Sequence, residues 1–262
     1  GAMSGKPVEV DASDLIFKYR NLIAAQARHK LVDARTGRPL RVVEHIGCHY
    51  SKMFPSKGVG GAEYPYVLVG MIEAWGGEIV DYPERRHCCG FGFRQYLVKG
   101  NRGYSLSNTH KKFESMEPFH PDMIVTNCPG CPYFLDRWQY VIAESTGKTY
   151  GEDGHGIPVF TYEEVAGLVL GYDPWDLGLQ THQVSVEPLL DKMGIEYDPA
   201  RKYLGKDGKD INIDCDSVIS CAGYIPAPLA EKSGNVHLVG DCLAIGNLRS
   251  VVWRAYDVAM KI

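Results

Sequence analysis

Five of the eight cysteines form a pattern that can bind a metal. One cysteine is followed, after 39 intervening residues, by an adjacent pair, and a C-x-x-C motif begins after 38 more. Cysteine thiolates ligate zinc and iron–sulfur clusters, and a C-x-x-C motif also serves as a redox-active dithiol. We call these five residues the cysteine set: Cys48, Cys88, Cys89, Cys128 and Cys131.

The size of the cysteine set favours an iron–sulfur cluster. Structural zinc takes four ligands in a tetrahedron, which leaves one cysteine too many, and a dithiol accounts only for Cys128 and Cys131. Glycine and proline beside the cysteines predict turns in which backbone N–H groups face sulfur, as they do around clusters. Zinc, and cysteines that only pack in a core, remain as alternatives.

Three histidines flank the cysteine set: His45, His49 and His87. Such histidines can donate hydrogen bonds to sulfur or protons to a leaving thiolate, although loop histidines without such a role are more frequent. The candidate catalytic residues are the cysteine set together with His49 and His87. A solvated surface is expected for Arg85, Arg86 and Lys52, with attraction of an anionic substrate as the alternative.

Strand and helix patterns alternate along the chain and must position these residues. Strands are predicted at 41–46, 78–82, 123–126 and 158–160, and helices at 13–31, 66–75, within 91–116, 133–145 and 162–170. This order predicts an α/β fold, with a mostly parallel, doubly wound sheet and helices on both faces. Ligands gather at the carboxyl ends of such strands, so the cysteine set is expected to converge there.

The sequence predicts three segments. Residues 1–12 are a tag scar (Gly1-Ala2-Met3) and leader, residues 13–194 the cysteine-rich domain, and residues 195–262 a small C-terminal α/β appendage. The appendage carries predicted strands at 217–221 and 236–239 and a helix at 246–261. Its three cysteines, Cys215, Cys221 and Cys242, are expected to pack in a core.

Bulk properties narrow the class of protein. A net charge of −4 gives no reason to expect nucleic acid or an anionic membrane as a partner. No apolar run approaches the roughly 18 residues that a spanning helix needs, so insertion into a bilayer is not expected. Clustered cysteines suit ligands better than disulfides, which favours a reducing, cytoplasmic location.

The order C-x39-C-C-G-x37-C-x-x-C resembles the CCG motif of the cysteine-rich domain in the heterodisulfide reductase B subunit. Related domains occur in iron–sulfur subunits of glycolate and lactate oxidoreductases and in an atypical succinate dehydrogenase subunit. The surrounding sequence is similar too: residues 45–50, the loop 127–132, and residues 167–190 with Asp173-Pro174 and His182. The resemblance covers roughly residues 13–194.

The resemblance implies a noncubane [4Fe–4S] cluster on the cysteine set, at which a small-molecule disulfide is cleaved by electrons relayed from a flavin. It also implies a flavoprotein or ferredoxin-like partner subunit as electron donor. The family subunit has two such motifs facing each other across the substrate, and this chain has one, similar to the second. One motif can hold a cluster without completing a catalytic site. A few family members bind zinc at one copy.

The tail carries a second resemblance. Residues 236–242, V-H-L-V-G-D-C, and the helix after them are similar to the end of enoate and dienoyl-CoA reductase flavoproteins. That resemblance places Asp241 at a flavin. The G-x-G-x-x-G loop that a flavin domain needs is replaced at 58–63 by a sequence with Glu63 at its third position. We therefore expect no FAD on this chain alone.

Two functions are consistent with the sequence. The first is an iron–sulfur oxidoreductase component, similar to the heterodisulfide reductase B subunit, that reduces a disulfide or relays electrons. The second is a zinc-stabilised, cysteine-rich docking module of a redox complex. Metal analysis distinguishes them.

Overall fold

The computed structural model of the chain describes residues 11–53, 58–92 and 102–199, without the side chains of Met53 and Arg102. These residues all belong to the first of two units into which the chain divides, Gly1–Arg201. The predictions for the tail, including those for Cys215, Cys221, Cys242 and Asp241, lie outside the described residues. The predicted boundary between residues 194 and 195 also stays a prediction.

Four parallel strands form one sheet in the order β2-β1-β3-β4. The strands are β1 Arg41–His45, β2 Glu78–Ile79, β3 Met123–Thr126 and β4 Val159–Thr161. β2 is shorter than predicted, although the Val80 N–H still donates to the Val42 carbonyl at 2.8 Å. The predicted parallel α/β sheet is confirmed.

Helices connect the strands. The α-helices are α1 Ala12–Ala25, α2 Cys48–Met53, α3 Val67–Ala74, α4 Arg102–Met116, α5 Gly130–Thr146, α6 Tyr162–Leu170 and α7 Glu187–Lys192. Two short 3-10 helices lie at Glu117–Phe119 and Leu179–Thr181. Among the described residues, no helix combines the length and the apolar character needed to cross a membrane.

Two apolar cores cover the two faces of the sheet, because successive strand residues point to opposite sides. Val42 lies in one core, where α3, α6 and α7 pack, and Val43 lies in the other with α4 and α5. Both strand residues are fully buried. Helices therefore cover both faces of the sheet, as predicted. A ligand is expected at the carboxyl ends of the strands, which the helices leave open.

The prediction for α1 is wrong at both ends. The helix begins at Ala12, and Asp11 is its N-cap, because the Asp11 carboxylate accepts the Ser13 N–H at 2.8 Å. The helix ends well before residue 31, since the N–H groups of Arg28 and His29 both donate to the Val169 carbonyl. Three large apolar residues at helical spacing on α1 are exposed: Leu15, Tyr19 and Leu22.

Candidate metal centre

The loops after β1 and β3 are locked together beside Cys128. The Gly47 N–H donates to the Asn127 Oδ1 atom at 2.9 Å. A Cβ atom on Gly47 would lie 2.5 Å from the Cys128 Cβ atom, so only glycine permits this approach. Cys48, the next residue, begins α2 and is exposed.

Four thiols of the cysteine set are in contact. The Cys89 and Cys131 sulfur atoms are 3.3 Å apart, and both side chains are buried, with 4% and 3% exposure. Cys88 is hydrogen-bonded to Cys89, and Cys128 to Cys131, through their thiols. The structure therefore brings together Cys88, Cys89, Cys131 and Cys128, and leaves Cys48 at the exposed edge beside Gly47.

Hydrogen bonds among these thiols shift their pKa values in opposite directions. Hydrogen bonding with Cys131 and Cys88 holds the pKa of Cys89 well below its usual range, and hydrogen bonding with Cys131 lowers the pKa of Cys128 to about 6. Hydrogen bonding with Cys89 raises the pKa of Cys88, and hydrogen bonding with Cys128 raises the pKa of Cys131. Thiolates are the form of cysteine that binds metals, so the arrangement is prepared for one.

His45, the last residue of β1, is the histidine that lies among the thiols. Its ring nitrogen and the Cys89 and Cys131 sulfurs all lie within 4.8 Å of one another. Burial lowers the pKa of His45, and the Lys112 charge lowers it further, which favours the neutral ring. Its buried Nδ1 atom has no hydrogen-bond partner among the described residues. A neutral histidine ring beside two thiols, with one buried nitrogen still without a partner, fits a bound metal group.

The two histidines proposed from the sequence lie elsewhere around the set. His49 is exposed in α2. His87 places its Nε2 atom 3.2 Å from Asn108 Oδ1 and its Nδ1 atom 3.4 Å from a Glu84 carboxylate oxygen. Their role as proton donors stays a prediction. The sequence identifies His45 as a flanking residue but not as the one among the thiols, because a histidine at the end of a strand does not reveal which way its ring points.

Backbone N–H groups face the sulfur atoms, as the turn residues predicted. The Gly90 N–H donates to Cys88 Sγ and the Phe91 N–H to Cys89 Sγ, each at 3.4 Å. Gly90 has a φ of 98°, a left-handed conformation that glycine adopts freely. Hydrogen bonds of this kind tune thiolate-bound clusters.

One face of α4 holds the carbonyl side of the same loop. Thr109 Oγ1 donates to the Cys89 carbonyl at 2.6 Å, and Ser105 Oγ donates to the Gly90 carbonyl at 2.5 Å. Both hydroxyl-bearing residues are fully buried. Because the carbonyls are bound on the α4 side, the amides turn toward sulfur. The sequence does not distinguish these residues from a solvated helix face, although Ser105, Thr109 and Lys112 recur at helical spacing.

The C-x-x-C motif lies at the beginning of α5. The helix starts at Gly130, three residues earlier than predicted, so Cys131 lies in its first turn. Free N–H groups and the positive end of the helix dipole stabilise thiolates at such a position. The N–H groups of Gly130 and Cys131 also act on Cys128 and lower its pKa.

Arg85 and Arg86 are not simply solvated, which corrects the expectation for them. Both donate to one carboxylate oxygen of Glu44, at 2.5 and 2.9 Å. Glu44 lies on β1 and is fully buried, so the two guanidinium groups neutralise a carboxylate that would otherwise be very costly to bury. The two arginines therefore hold the loop that leads into Cys88 in place through Glu44, and their partner is this carboxylate rather than a free anion.

Comparison with known proteins identifies the same region. Residues 42–136 match the family described as CCG: Cysteine-rich domain, and this range contains the whole cysteine set. This segment of the chain is similar to the CCG cysteine-rich domain. Within the matched segment, α4 binds the carbonyl of Cys89 in the C-C-G sequence, and the Cys89 sulfur lies against that of Cys131.

The chain is homologous to subunits of heterodisulfide reductases. It is 32% identical over 154 residues to the B subunit of the ferredoxin/F(420)H(2)-dependent CoB-CoM heterodisulfide reductase of Methanosarcina acetivorans, which is 59% of this chain and 49% of that protein. The same values hold for the B subunit of the ferredoxin:CoB-CoM heterodisulfide reductase of Methanosarcina mazei.

A more distant relative has another activity in its name. The 8-methylmenaquinol:fumarate reductase membrane anchor subunit of Wolinella succinogenes is 23% identical over 150 residues, 57% of this chain and 50% of that protein. The chain thus spans about half the length of the curated relatives that it matches. The flavoprotein resemblance of residues 195–262 has no support in these comparisons and stays a prediction.

Proposed function

We propose that the chain is an iron–sulfur oxidoreductase component similar to the heterodisulfide reductase B subunit. The observation that carries the proposal is the contact of four thiols of the cysteine set inside the segment that matches the CCG domain. In this proposal the cluster is a noncubane [4Fe–4S] centre, with Cys48 completing the ligands from the exposed edge. Its residence in the cytoplasm is part of the same proposal.

The residues of the chain fit such a group. They supply thiolates at Cys89 and Cys128, N–H bonds to sulfur from Gly90 and Phe91, and the orphaned His45 nitrogen. A cluster bound there supplies one-electron transfer. Burial of Cys89 and Cys131 keeps water from the inner thiols, whereas Cys48 leaves one side accessible.

The proposed reaction is reduction of a small-molecule disulfide, or relay of electrons to a partner that performs it. Cleavage of one disulfide takes two electrons and two protons and yields two thiols. The electrons come from a flavoprotein or ferredoxin-like partner subunit. Protons come from His49 or His87, because a leaving thiolate must be protonated and imidazole transfers protons near neutral pH.

Catalysis by this chain alone is not part of the proposal. The sequence carries one cysteine motif, and we propose that a complete substrate site needs a second motif facing it. We propose that the isolated chain holds its cluster but turns over disulfide slowly or not at all. We also propose that Asp241 and the tail bind flavin only together with an element that supplies the G-x-G-x-x-G loop.

A zinc-stabilised docking module is the second candidate. It is favoured by one observation: His45, Cys89 and Cys131 offer three ligand atoms within 4.8 Å of one another. With Cys88 or Cys128 added, they would complete the four ligands that structural zinc takes. In that case the chain would hold a redox subunit in place without exchanging electrons.

Anaerobic purification followed by metal analysis tests the proposal. The protein is purified without oxygen, and its visible spectrum, iron, acid-labile sulfide and zinc are measured. A brown protein with near-stoichiometric iron and sulfide supports the cluster. A colourless protein with one zinc per chain supports the docking module and contradicts the oxidoreductase proposal.

A further inference from the structure

Lys112 is a fully buried lysine, with 0% of its surface exposed. Lysine is almost never fully buried unless it is paired, because an ammonium group loses its hydration in the protein interior. Burial accordingly lowers the pKa of Lys112 to about 8. The residue is still mainly protonated at neutral pH, so a positive charge is held inside the domain.

The Lys112 ammonium is bound by the loop that leads into the adjacent cysteines. It donates to the carbonyls of Glu84, Arg85 and His87 at 2.9, 3.1 and 3.2 Å. It also lies 5.0 Å from the centre of the Tyr82 ring. All three donor positions of an ammonium group are therefore used by carbonyls.

Lys112 continues the α4 face that holds the rest of the loop. Ser105, Thr109 and Lys112 follow one another at helical spacing, and together they bind carbonyls at five positions between residues 84 and 90. We call this face the α4 clamp. The carbonyls of Cys89 and Gly90 face the α4 clamp, whereas the N–H groups of the next residues, Gly90 and Phe91, face sulfur.

The charge of Lys112 has no dedicated carboxylate. Among the described residues, it interacts electrostatically with the Glu44 and Glu84 carboxylates and with the thiol groups of Cys89, Cys131 and Cys88. Glu44 is already bonded to Arg85 and Arg86, Arg85 also pairs with Asp81, and Glu84 pairs with Lys111. With Lys112 included, four cations face three carboxylates, which leaves one positive charge in excess beside the thiols. A thiolate-bound centre carrying net negative charge would balance it.

We propose that Lys112 is a positioning residue for the thiolate-bound centre, which fixes the 84–90 loop and stabilises the more reduced state by its buried positive charge. The inference rests on the proposed function, in that the centre must be redox-active. Adding an electron makes the centre more negative, and a nearby cation in a poorly hydrated site favours that state. Lys112 therefore raises the reduction potential.

The test compares charge with shape at one position. Lys112→Met removes the charge but keeps an unbranched side chain, and Lys112→Arg keeps the charge. Lys111→Met is the matched control, because Lys111 is the neighbouring residue, is 59% exposed and pairs with Glu84 only at the surface. Each variant is purified anaerobically as the full chain, and iron and sulfide are measured before any titration.

The main readout is the midpoint potential of the bound centre, followed spectroscopically in a redox titration. Lys112→Met is expected to lower the equilibrium constant for reduction about tenfold, which lowers the midpoint potential by about 59 mV for a one-electron couple. Lys112→Arg and Lys111→Met are expected to remain near the unmodified chain. A potential in Lys112→Met equal to that of the unmodified chain would overturn the inference.

A second readout does not need the centre. In metal-free protein, hydrogen exchange of the Gly90 and Phe91 amides should become at least severalfold faster in Lys112→Met, because the α4 clamp loses its charged contact. Unchanged exchange in that variant would overturn the clamp. If the unmodified chain contains no redox-active centre, the proposed function and the charge inference both fail, and the exchange result still decides the positional role.

Discussion

The sulfur atoms of Cys89 and Cys131 lie 3.3 Å apart although the residues are 42 positions apart in the chain. Both are buried, Cys88 and Cys128 are half-buried, and Cys48 is exposed. The solvent exposure of the cysteine set thus increases from Cys89 and Cys131 in the domain interior to Cys48 at its surface. A partner or a substrate would reach a centre held there from the Cys48 side.

Gly47→Ala should weaken metal binding. The added Cβ atom would lie 2.5 Å from the Cys128 Cβ atom, so the two loops must separate. We expect a loss of about 1–3 kcal/mol in the free energy of unfolding, as is typical of overpacking, together with reduced metal content. Gly103→Ala is the control, because nothing lies within 4 Å of its Cβ position. Equal metal content in both variants would contradict the tight approach of the loops.

Asp136→Asn should destabilise the segment that follows α6. The buried Asp136 carboxylate accepts the N–H groups of Gln183 and Val184 at 2.6 and 2.9 Å. An amide offers only one acceptor oxygen, so one buried N–H is left without a partner, at a cost of about 1–3 kcal/mol. Chemical denaturation measures the change, and exposed Asp153→Asn is the control. A loss no larger than that of the control would show that these bonds contribute little.

Raising the pH should remove part of the stability of the domain through His182. Burial opposes its charge, but the hydrogen bond to the Glu164 carboxylate at 3.2 Å raises its pKa above the usual value. A group with a raised folded-state pKa contributes stability below its unfolded pKa and loses it as the pH rises through the folded pKa.

The measurement is the free energy of unfolding from about pH 6 upward, past the usual histidine range. In Glu164→Gln this pH-dependent decrease should become smaller, while the amide oxygen can still accept the Thr161 N–H that Glu164 now binds. An identical slope in the unmodified chain and in the variant would exclude the ion pair as its cause.

Flavin should bind the isolated chain weakly or not at all. The tail resembles the end of a flavin domain, but the glycine loop that would cradle the phosphates is missing from the sequence. Titration of the chain with FAD, followed by fluorescence quenching, is the measurement. A tight one-to-one complex, lost in Asp241→Ala, would show that the tail belongs to a complete flavin site.

The sequence predicted the sheet and the convergence of four of the five cysteines, all but Cys48, because both depend on local patterns. Apolar strands such as Met123–Thr126 are short and buried, and parallel strands bring their carboxyl ends to one edge. The face of α1 was not predictable in the same way. Leu15, Tyr19 and Leu22 have helical spacing, yet the packing of Ile23 against the core selects another face.

Contacts between distant segments account for what the sequence could not reveal at the site. From the sequence, Lys112 is expected on the solvated face of a helix. It is a buried cation only because loop 84–87 packs over it and its carbonyls accept hydrogen bonds from the ammonium group. Arg85 and Arg86 are likewise explained only by Glu44, about 40 positions earlier on β1. His45 became distinguishable from His49 and His87 once the direction of its ring was known.

Iron content across a cysteine-to-serine series tests the central claim most directly. Each of the eight cysteines is replaced in turn, and iron and acid-labile sulfide per chain are measured after anaerobic purification. Serine replaces a ligand thiolate poorly, so variants in the cysteine set should lose most of their iron and sulfide, with Cys89→Ser and Cys131→Ser among the most affected. Cys215→Ser, Cys221→Ser and Cys242→Ser should keep the content of the unmodified chain. Full iron and sulfide in all eight variants would place the cluster elsewhere and contradict the account.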